Sequence, residues 1–430
     1  MRSINGRSTG GRSMTSTAPA AVARRAAAVL GATAALAALT STPALADGDG
    51  SGTQLASTDC QFGGDVIKGT PWSLQRVITE QLWQGGTLKG DGVTVAVIDT
   101  GVDKNNPQLT GKVLDGKSFA KSKATSDGVG HGTKVAGIIA AADNFPGTGF
   151  HGMAPKARIL PLQTSTAEEG GNLATMVNAI KAAVSAKVDI INISQGTTAN
   201  VSQLPSLQAA VAEAESRNIL IVASAGNNGS SGQESKTYPA AMDNSNVLSV
   251  AASDRNNERA TFSTQNRQVD IAAPGVDMVS TVPVRGQCVD QGTSFSAPYA
   301  AGVAALVKEK HPKWTPAQII WHLERTASRS HPYHDNHIGW GVIDPMAAVK
   351  DDTEPTGPVT NADLRSAVTA SNGDKEKIIA AKLTLGETPA ERNARYGTYL
   401  VIGGGLLLGV ISAGAMARRD WLRKRGADVL

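Results

Sequence analysis

The sequence is poor in cysteine, in net charge and in internal repetition. Two cysteines among 430 residues allow one intramolecular disulfide at most, and 41 basic against 37 acidic side chains give a net charge of +4. Much of the basic excess lies at the two ends of the chain, so the charge gives no support for nucleic-acid binding. No repeat is apparent, and no dense carboxylate loop predicts a calcium site. The composition, with 41% apolar and 18% charged residues, is typical of a chain with a folded core. The length suits one large domain with additional segments.

Residues 1–46 have the features of an export signal. A basic pair precedes an apolar run from 26 to 39, and Ala44-Leu45-Ala46 offers an A-x-A cleavage site. The run is short for a membrane span, and a buried alanine-rich helix is the alternative. Translation from Met1 or from Met14 would supply the same signal. We therefore predict a cleaved signal peptide.

A second apolar segment lies near the C-terminus. Residues 398–417 carry no charge and as a helix would cover about 30 Å, enough to span a membrane. The tail that follows, 418–430, has five basic and two acidic side chains, a bias that favours the cytoplasmic side. A buried core helix is the alternative. We predict a transmembrane helix in the cell membrane, with the body of the chain on the extracytoplasmic side and residues 351–397 as a polar linker.

Residues 47–90 form a predicted extension between the leader and the main domain. They contain apolar side chains such as Trp72 and Trp83, enough to pack on a neighbour. The extension also carries Cys60, which in an exported protein could form a disulfide with Cys288. A bridge would pin the extension near position 294, because Cys288 lies six residues before it. Two unpaired buried thiols are the alternative.

Short β-branched runs alternate with helix-like stretches over residues 91–350. The strand candidates are 93–98, 157–163, 188–194, 219–225 and 246–252, and the helix candidates are 133–142, 171–186, 206–217, 296–310 and 315–327. Strands that are apolar throughout and separated by helices indicate a parallel sheet covered on both faces. We therefore predict an α/β domain with its functional groups where the strands end.

Two polar residues lie at such ends, and a third begins a helix. Asp99 directly follows the strand 93–98, Asn227 follows the strand 219–225, and His131 stands between two glycines at the start of an apolar helix. A carboxylate at a strand tip is suited to hold an imidazole, and an amide there is suited to donate a hydrogen bond. Each residue alone has an ordinary alternative, a turn residue for the first two and a capping residue for the histidine.

The stretch "GTSFSAPYAAG" (292–302) predicts a tight turn that leads into a helix, and it offers two serines. Ser294 lies at the helix entrance, where free backbone N–H groups and the helix dipole favour negative charge. Ser296 would point about 200° away around the helix. We predict Ser294 as the nucleophile, with His131 as the base that an unassisted serine lacks.

The other histidines predict no catalytic role. His151 in "FHGMAPKARI" has a structural context. His331, His334 and His337 follow an i, i+3, i+6 spacing that is compatible with a metal, but Pro, Asp and Asn lie among them. We predict no metal and no cofactor, with a metal at these histidines as the alternative.

In their order along the chain, Asp99, His131, Asn227 and Ser294 match the parts of acyl transfer. The blocks "VAVIDTGVD", "GHGTKVAGIIA", "GMAPKARILPLQ", "INISQG", "SAGNNG" and "GTSFSAPYAAG" resemble those of the subtilisin-like serine proteases, over about residues 70 to 350. In that superfamily the triad also follows the order Asp, His, Ser.

Within this superfamily the chain resembles the mycosins of type VII secretion. The likeness rests on Phe295 and Tyr299, on the segment "PWSLQRV", and on the order of leader, extension, protease domain, linker and C-terminal span. One departure is Asn106, where the superfamily often has histidine before proline. That position is not catalytic, so it does not put activity in doubt.

The resemblance implies a subtilisin-like three-layer α/β/α fold with a central, mainly parallel sheet. It implies a catalytic triad of Asp99, His131 and Ser294, with Asn227 in the oxyanion hole. By the same resemblance, the substrate-binding residues are Ser194, Gln195, Gly196, Ala225 and Gly226.

Two functions follow as hypotheses. The first is a membrane-anchored serine endopeptidase that acts on protein or peptide substrates, among them type VII secretion substrates. The alternative is a structural component that stabilises a type VII secretion channel together with its membrane components, with proteolysis secondary. Asp99, His131, Asn227 and Ser294 all carry the side chains that acyl transfer needs, and this favours the enzyme.

Overall fold

The structure, a computed structural model, describes residues 60–167, 172–198, 204–357 and 389–427. The chain divides into two compact units, residues 1–364 and residues 365–430. The predicted signal peptide and most of the predicted linker lie outside the described residues. The domain boundaries inferred from the sequence therefore stay predictions.

A parallel sheet of seven strands forms the centre of the first unit. Its strands are β1 (Thr94–Asp99), β2 (Lys117–Ser118), β3 (Arg158–Gln163), β4 (Ile190–Ile193), β5 (Leu220–Ser224), β6 (Val247–Ser253) and β7 (Ile271–Pro274). They lie in the order β2-β3-β1-β4-β5-β6-β7, and all neighbouring pairs are parallel. The predicted parallel sheet is thereby confirmed. Because all strands end at one edge, the residues that follow β1, β4 and β5 lie near one another.

Alternate side chains of the strands enter two separate cores. In β1, Val95 and Val97 belong to one core, whereas Ala96 and Ile98 belong to the other. All six residues of β1 are buried. This follows from the two-residue period of a strand that is covered on both faces.

Helices cover both faces of this sheet. The described helices of the first unit are α1 (Trp72–Gln75), α2 (Thr79–Leu82), α3 (His131–Ala140), α4 (Leu173–Ser185), α5 (Leu204–Ser216), α6 (Thr293–Lys310), α7 (Pro316–Thr326) and α8 (Pro345–Lys350). Side chains of α3 and α6 enter one core, and those of α4 and α5 enter the other. The result is the three-layer α/β/α fold. An antiparallel hairpin of β8 (Met278–Thr281) and β9 (Gln287–Asp290) precedes α6.

The long helix α6 lies inside the molecule, and residues 293–307 are buried. Its small residues allow this position. A Cβ on Gly302 would lie only 2.6 Å from the Cβ of Met153, so a larger residue would push the helix away. Because interiors are closely packed, the burial of α6 fixes the position of its N-terminal residues against the sheet.

The extension is attached to the domain by hydrogen bonds and by a disulfide. Trp72 and Trp83 each donate an indole N–H to a main-chain carbonyl of the domain, over 2.8 and 3.0 Å. Cys60 and Cys288 form the predicted disulfide, with their Cα atoms 5.5 Å apart. The loop it closes has a sequence separation of 228, for which the chain-entropy model gives roughly 5 kcal/mol of stabilisation.

The described part of the second unit is one long helix, α9 (Pro389–Ala427). Within it the segment Tyr396–Arg419 is apolar and long enough to cross a membrane. The predicted span, 398–417, lies wholly inside that segment. The helix begins within the predicted linker and continues into the predicted tail, because charged residues such as Arg418 and Arg419 are also good helix formers.

Candidate active site

Asp99 and His131 meet at the carboxyl edge of the sheet. Asp99 ends β1 and is fully buried, and His131 is the first residue of α3. His131 Nδ1 lies 2.7 Å from Asp99 Oδ1, and its N–H donates to the carboxylate. The Thr100 N–H donates to the same oxygen over 2.7 Å. A carboxylate held in this way fixes the orientation of the ring and selects the tautomer whose Nε2 accepts a proton.

A glycine permits this close approach of α3 to β1. A Cβ on Gly132 would clash with the Gly101 carbonyl and would lie 3.2 Å from Asp99 Cβ. Any larger residue would push the helix away from the strand. The imidazole and its carboxylate would then separate, so the local geometry requires the glycine after His131.

A second buried carboxylate, that of Asp127, fixes the start of α3. Its Oδ2 accepts from the N–H and the hydroxyl of Thr133, at 2.8 and 2.7 Å, and its Oδ1 accepts from the Gly130 N–H at 2.8 Å. The Thr100 hydroxyl also donates to Oδ1, over 2.9 Å, and so joins the helix to the turn after β1. A carboxylate there satisfies free N–H groups and complements the helix dipole. The sequence interpretation missed Asp127, although an aspartate shortly before a helix is a capping signal.

Ser294 lies in the first turn of α6, with 8% of its surface exposed. The ring of Phe295 lies 5.3 Å from the His131 ring, so the start of α6 and the histidine are neighbours. Ser296 is fully buried on the other side, against Gly275. The structure thus separates the two serines as the helical spacing predicts.

Asn227 directs its amide toward the space beside Ser294. Its Oδ1 accepts from the N–H and the hydroxyl of Thr293, both at 2.9 Å, which leaves Nδ2 to face the other way. Gly292 has a backbone conformation, φ 150° and ψ 156°, that side-chain-bearing residues rarely adopt. A Cβ on it would lie 2.9 Å from Ser294 Oγ and 3.4 Å from Asn227 Nδ2. The glycine therefore leaves open a space between a hydroxyl and an amide donor, where an oxyanion could be stabilised.

An ion pair links α3, which carries His131, to strand β9, which ends shortly before the helix that carries Ser294. Lys134, one turn along α3, lies 2.5 Å from the carboxylate of Asp290, at the end of β9. The same ammonium lies 5.4 Å above the ring of Phe295. Because the lysine side chain is only 7% exposed, this pair is screened less by solvent than a surface pair.

The predicted substrate-binding residues follow two adjacent strands. Ser194, Gln195 and Gly196 come after β4, and Ala225 and Gly226 come after β5, which pairs with β4. Ser194 and Gln195 are buried, as is Ala225. Two backbone segments therefore run side by side near the candidate nucleophile.

The sequence interpretation did not single out Thr237, which lies between these two segments. A Cβ on Gly196 would overlap Thr237 Cγ2, and a Cβ on Gly226 would overlap Thr237 Oγ1. Thr237 is buried, and within the described residues its hydroxyl has no hydrogen-bond partner. No sequence signal places it there, because the contact joins segments distant in the chain.

Two of the other histidines, His151 and His334, make structural contacts. The His151 ring packs on Trp83 with centroids 4.7 Å apart, and His334 Nε2 donates to the Val269 carbonyl over 2.6 Å. Burial lowers the pKa of His151 below its ordinary value, because burial disfavours the charged ring. In the parts of the chain that the structure describes, no three His, Cys, Asp or Glu side chains converge to hold a metal.

Residues 90–341, more than half of the chain, match the model of the subtilase family, Peptidase S8. The chain belongs to the subtilase family. Subtilisin BL of Lederbergia lenta is 38% identical over 281 residues, which cover 65% of this subtilase and 98% of the relative. M-protease of Shouchella clausii (strain KSM-K16) is 38% identical over 286 residues, or 66% and 71% of the two chains.

Solved structures of mycosins resemble this subtilase as well. MycP1 from Mycobacterium smegmatis aligns with a TM-score of 0.61 and 30% identity, over 71% of this chain and 91% of that one. MycP3 protease from the type VII (ESX-3) secretion system aligns with a TM-score of 0.60 and 30% identity, over 68% and 91%. The subtilase is therefore a serine endopeptidase by family, and its fold is close to that of the mycosins.

Proposed function

We propose that this subtilase is a membrane-anchored endopeptidase whose catalytic triad is Asp99, His131 and Ser294. The observation that carries the proposal is the 2.7 Å hydrogen bond between His131 and Asp99. The start of α6 adjoins this pair through the contact of Phe295 with the His131 ring, and Ser294 Oγ and Asn227 Nδ2 border one space at Gly292. Nucleophile, base, orienting carboxylate and oxyanion donor are the groups that acyl transfer needs.

The reaction begins with attack of Ser294 Oγ on the carbonyl of the scissile peptide bond. His131 Nε2 takes the hydroxyl proton, and Asp99 stabilises the resulting imidazolium through the Nδ1 hydrogen bond. His131 then delivers the proton to the leaving amine as the C–N bond breaks. Water repeats the sequence on the acyl-enzyme and releases the acid and the free serine.

The tetrahedral intermediate carries its negative charge in the space beside Gly292. Asn227 Nδ2 and the backbone N–H of Ser294 donate to that oxygen. Loss of one such donor costs about 10²–10³ in turnover in enzymes of this kind. In the acyl portion of the substrate, the backbone pairs with Ser194 to Gly196, and Ala225-Gly226 form the opposite wall of the pocket.

The proposed location is the cell membrane, with the protease domain on the extracytoplasmic side. The apolar segment Tyr396–Arg419 is long enough to be the anchor, and the basic residues after it favour the cytoplasm. The solved neighbours include a protease from a type VII secretion system. We therefore propose that the substrates are proteins exported by such a system.

Replacement Ser294→Ala in the native host tests this function. We expect the new N-termini that the wild-type enzyme creates among exported proteins to disappear, because the nucleophile is lost. Ser296→Ala is the matched control, since its hydroxyl faces the interior on the other side of α6. N-terminal mapping of exported proteins by mass spectrometry measures both variants. Identical maps for wild type and Ser294→Ala would refute the proposal.

The second candidate function is a structural role in a secretion channel. It is favoured by the fold similarity to MycP1 and MycP3 and by an apolar anchor of membrane length. The same Ser294→Ala strain separates the two functions. If cleavage stops but the cargo is still exported normally, export depends on the structural role. If export fails as well, export depends on proteolysis.

A further inference from the structure

Four large apolar side chains are exposed among the described residues outside α9. They are Phe62, Ile78, Val284 and Tyr333. Scattered apolar residues on a surface are ordinary. Two of these four, however, lie together beside the candidate active site: Phe62, which is 41% exposed, and Val284, which is 62% exposed.

Phe62 lies over the residue that precedes His131. A Cβ on Gly130 would lie 2.6 and 2.7 Å from two atoms of the Phe62 ring, and 3.3 Å from Cδ of Pro283. The aromatic ring and the proline ring therefore border the same point, one residue from the proposed general base. We call Phe62, Pro283 and Val284 the apolar shelf.

Hydrogen bonds and the disulfide hold the shelf in place. The Gly63 N–H donates to the Arg285 carbonyl, and Arg285 Nε donates to the Gly63 carbonyl, both over 3.0 Å. Cys60, two residues before the phenylalanine, is bonded to Cys288. An exposed ring that is anchored on both sides loses little conformational freedom when it binds a ligand.

Val284 supplies an independent observation. Its φ of 71° lies in the left-handed region, where a β-branched residue is a conformational outlier. The strained backbone is held by a hydrogen bond of 2.7 Å from the Val284 N–H to Asp103 Oδ2. Its Cγ1 would lie 3.8 Å from a Cβ on Gly63, so it faces the segment that carries Phe62. Outliers of this kind that persist on a surface are concentrated at binding sites.

We infer that the apolar shelf binds substrate residues on the leaving side of the scissile bond, and that it selects peptides with an apolar side chain there. The inference rests on the proposed function. His131 gives its proton to the leaving amine, so the leaving chain departs past this histidine and past the shelf next to it. Two of the residues predicted to bind the acyl portion, Gly196 and Gly226, instead lie against Thr237. The N-terminal extension thus contributes directly to specificity.

Two kinds of substrate with one acyl portion test the inference on the full-length enzyme in detergent. The first kind is a pair of internally quenched peptides, Ala-Ala-Ala followed by either Leu-Leu or Ser-Ser. The second is the Ala-Ala-Ala methyl ester, which has no residue after the scissile bond. We expect Phe62→Ala to lower kcat/KM for the Leu-Leu peptide roughly tenfold, as loss of partial burial of a ring implies, and to change ester hydrolysis less than twofold.

Two further variants complete the experiment. Phe62→Leu should retain most of the preference for Leu-Leu, because it keeps an apolar surface. Ile78→Ala, which removes an exposed apolar side chain of the same extension, should leave all three rates unchanged. An equal loss of kcat/KM for the Leu-Leu peptide and the ester in Phe62→Ala, or no loss for either substrate, would refute the role of the apolar shelf. A wild-type enzyme that hydrolyses the ester and shows no preference for Leu-Leu also overturns it while the proposed function stands. A wild-type enzyme that cleaves none of the substrates and does not react with a fluorophosphonate would refute both the apolar shelf and the proposed function.

Discussion

Thr293 shows how one side chain organises the candidate site. Its hydroxyl accepts from the Gly226 N–H over 3.2 Å and donates to Asn227 Oδ1 over 2.9 Å. The same Oδ1 accepts from the Thr293 N–H. These bonds fix which end of the Asn227 amide faces Ser294. Thr293 therefore acts on the oxyanion through Asn227, as a positioning residue.

Replacement Thr293→Val keeps the shape of the side chain and removes its hydroxyl. We expect kcat to fall roughly tenfold with KM little changed, because a donor that is used only in the transition state becomes less well oriented. Thr293→Ser should restore most of the rate. Steady-state kinetics on an ester substrate measures both, and wild-type kcat in the valine variant would show that the bond has no such role.

The sequence points to Asp99, His131, Asn227 and Ser294 because each follows a recognisable strand end or begins a helix. Their roles stay predictions that the geometry supports. Asp127, Thr237 and Phe62 were not found in this way. Their importance comes from contacts between segments that are far apart in the chain, and such contacts leave no periodic pattern in the sequence.

At the scale of elements, the long apolar strands and helices are predicted closely. The hairpin β8–β9 and strands β2 and β7 were not predicted, since short strands give a weak pattern. Strand β4 is as short as β7, but it lies within the longer apolar run 188–194. Helix α6 begins at Thr293, three residues before the predicted start. Its first N–H group, that of Thr293, finds an acceptor in Asn227, a tertiary partner that the local sequence does not reveal.

Two buried carboxylates, those of Asp270 just before strand β7 and of Glu324 in helix α7, interact electrostatically. Burial raises the pKa of Asp270, just before β7, to about 7, and burial also raises the pKa of Glu324 in α7. The charge of Asp270 further raises the pKa of Glu324, and the charge of Asp243 further raises the pKa of Asp270. Between the ordinary carboxylate pKa of about 4 and these raised pKa values, the folded state holds protons that the unfolded state has released. The contribution to stability is therefore full below about pH 4 and is lost as the pH rises toward about 7.

Asp270→Asn should flatten this pH dependence. The asparagine stays neutral and retains an oxygen that accepts the Ser249 N–H, as Asp270 does over 2.7 Å. We expect the free energy of unfolding of the wild type to fall between pH 4 and pH 8, and that of the variant to fall less. Denaturant unfolding at a series of pH values measures the difference, with Asp91→Asn at an exposed carboxylate as the control. Parallel curves for wild type and Asp270→Asn would contradict this account.

At the scale of the whole molecule, the chain combines a subtilase domain, an extension bonded to it by Cys60–Cys288, and a separate apolar helix. The family match over residues 90–341 and the mycosin folds agree with the subtilisin-like fold expected from the sequence. Membrane insertion and the removal of the leader stay predictions. Composition shows that such segments suit a membrane or an export signal. Insertion and cleavage themselves are carried out by the machinery of the cell.

The central claim is that Asp99, His131 and Ser294 act together on one substrate carbonyl. Reaction of the purified full-length enzyme with a fluorophosphonate, followed by peptide mapping, tests it most directly. The account predicts that the wild type is modified at Ser294 alone, and that His131→Ala and Asp99→Asn react slower by several orders of magnitude, as loss of the base or of its tautomer implies. An unmodified wild type, or modification at another serine such as Ser296, would contradict it.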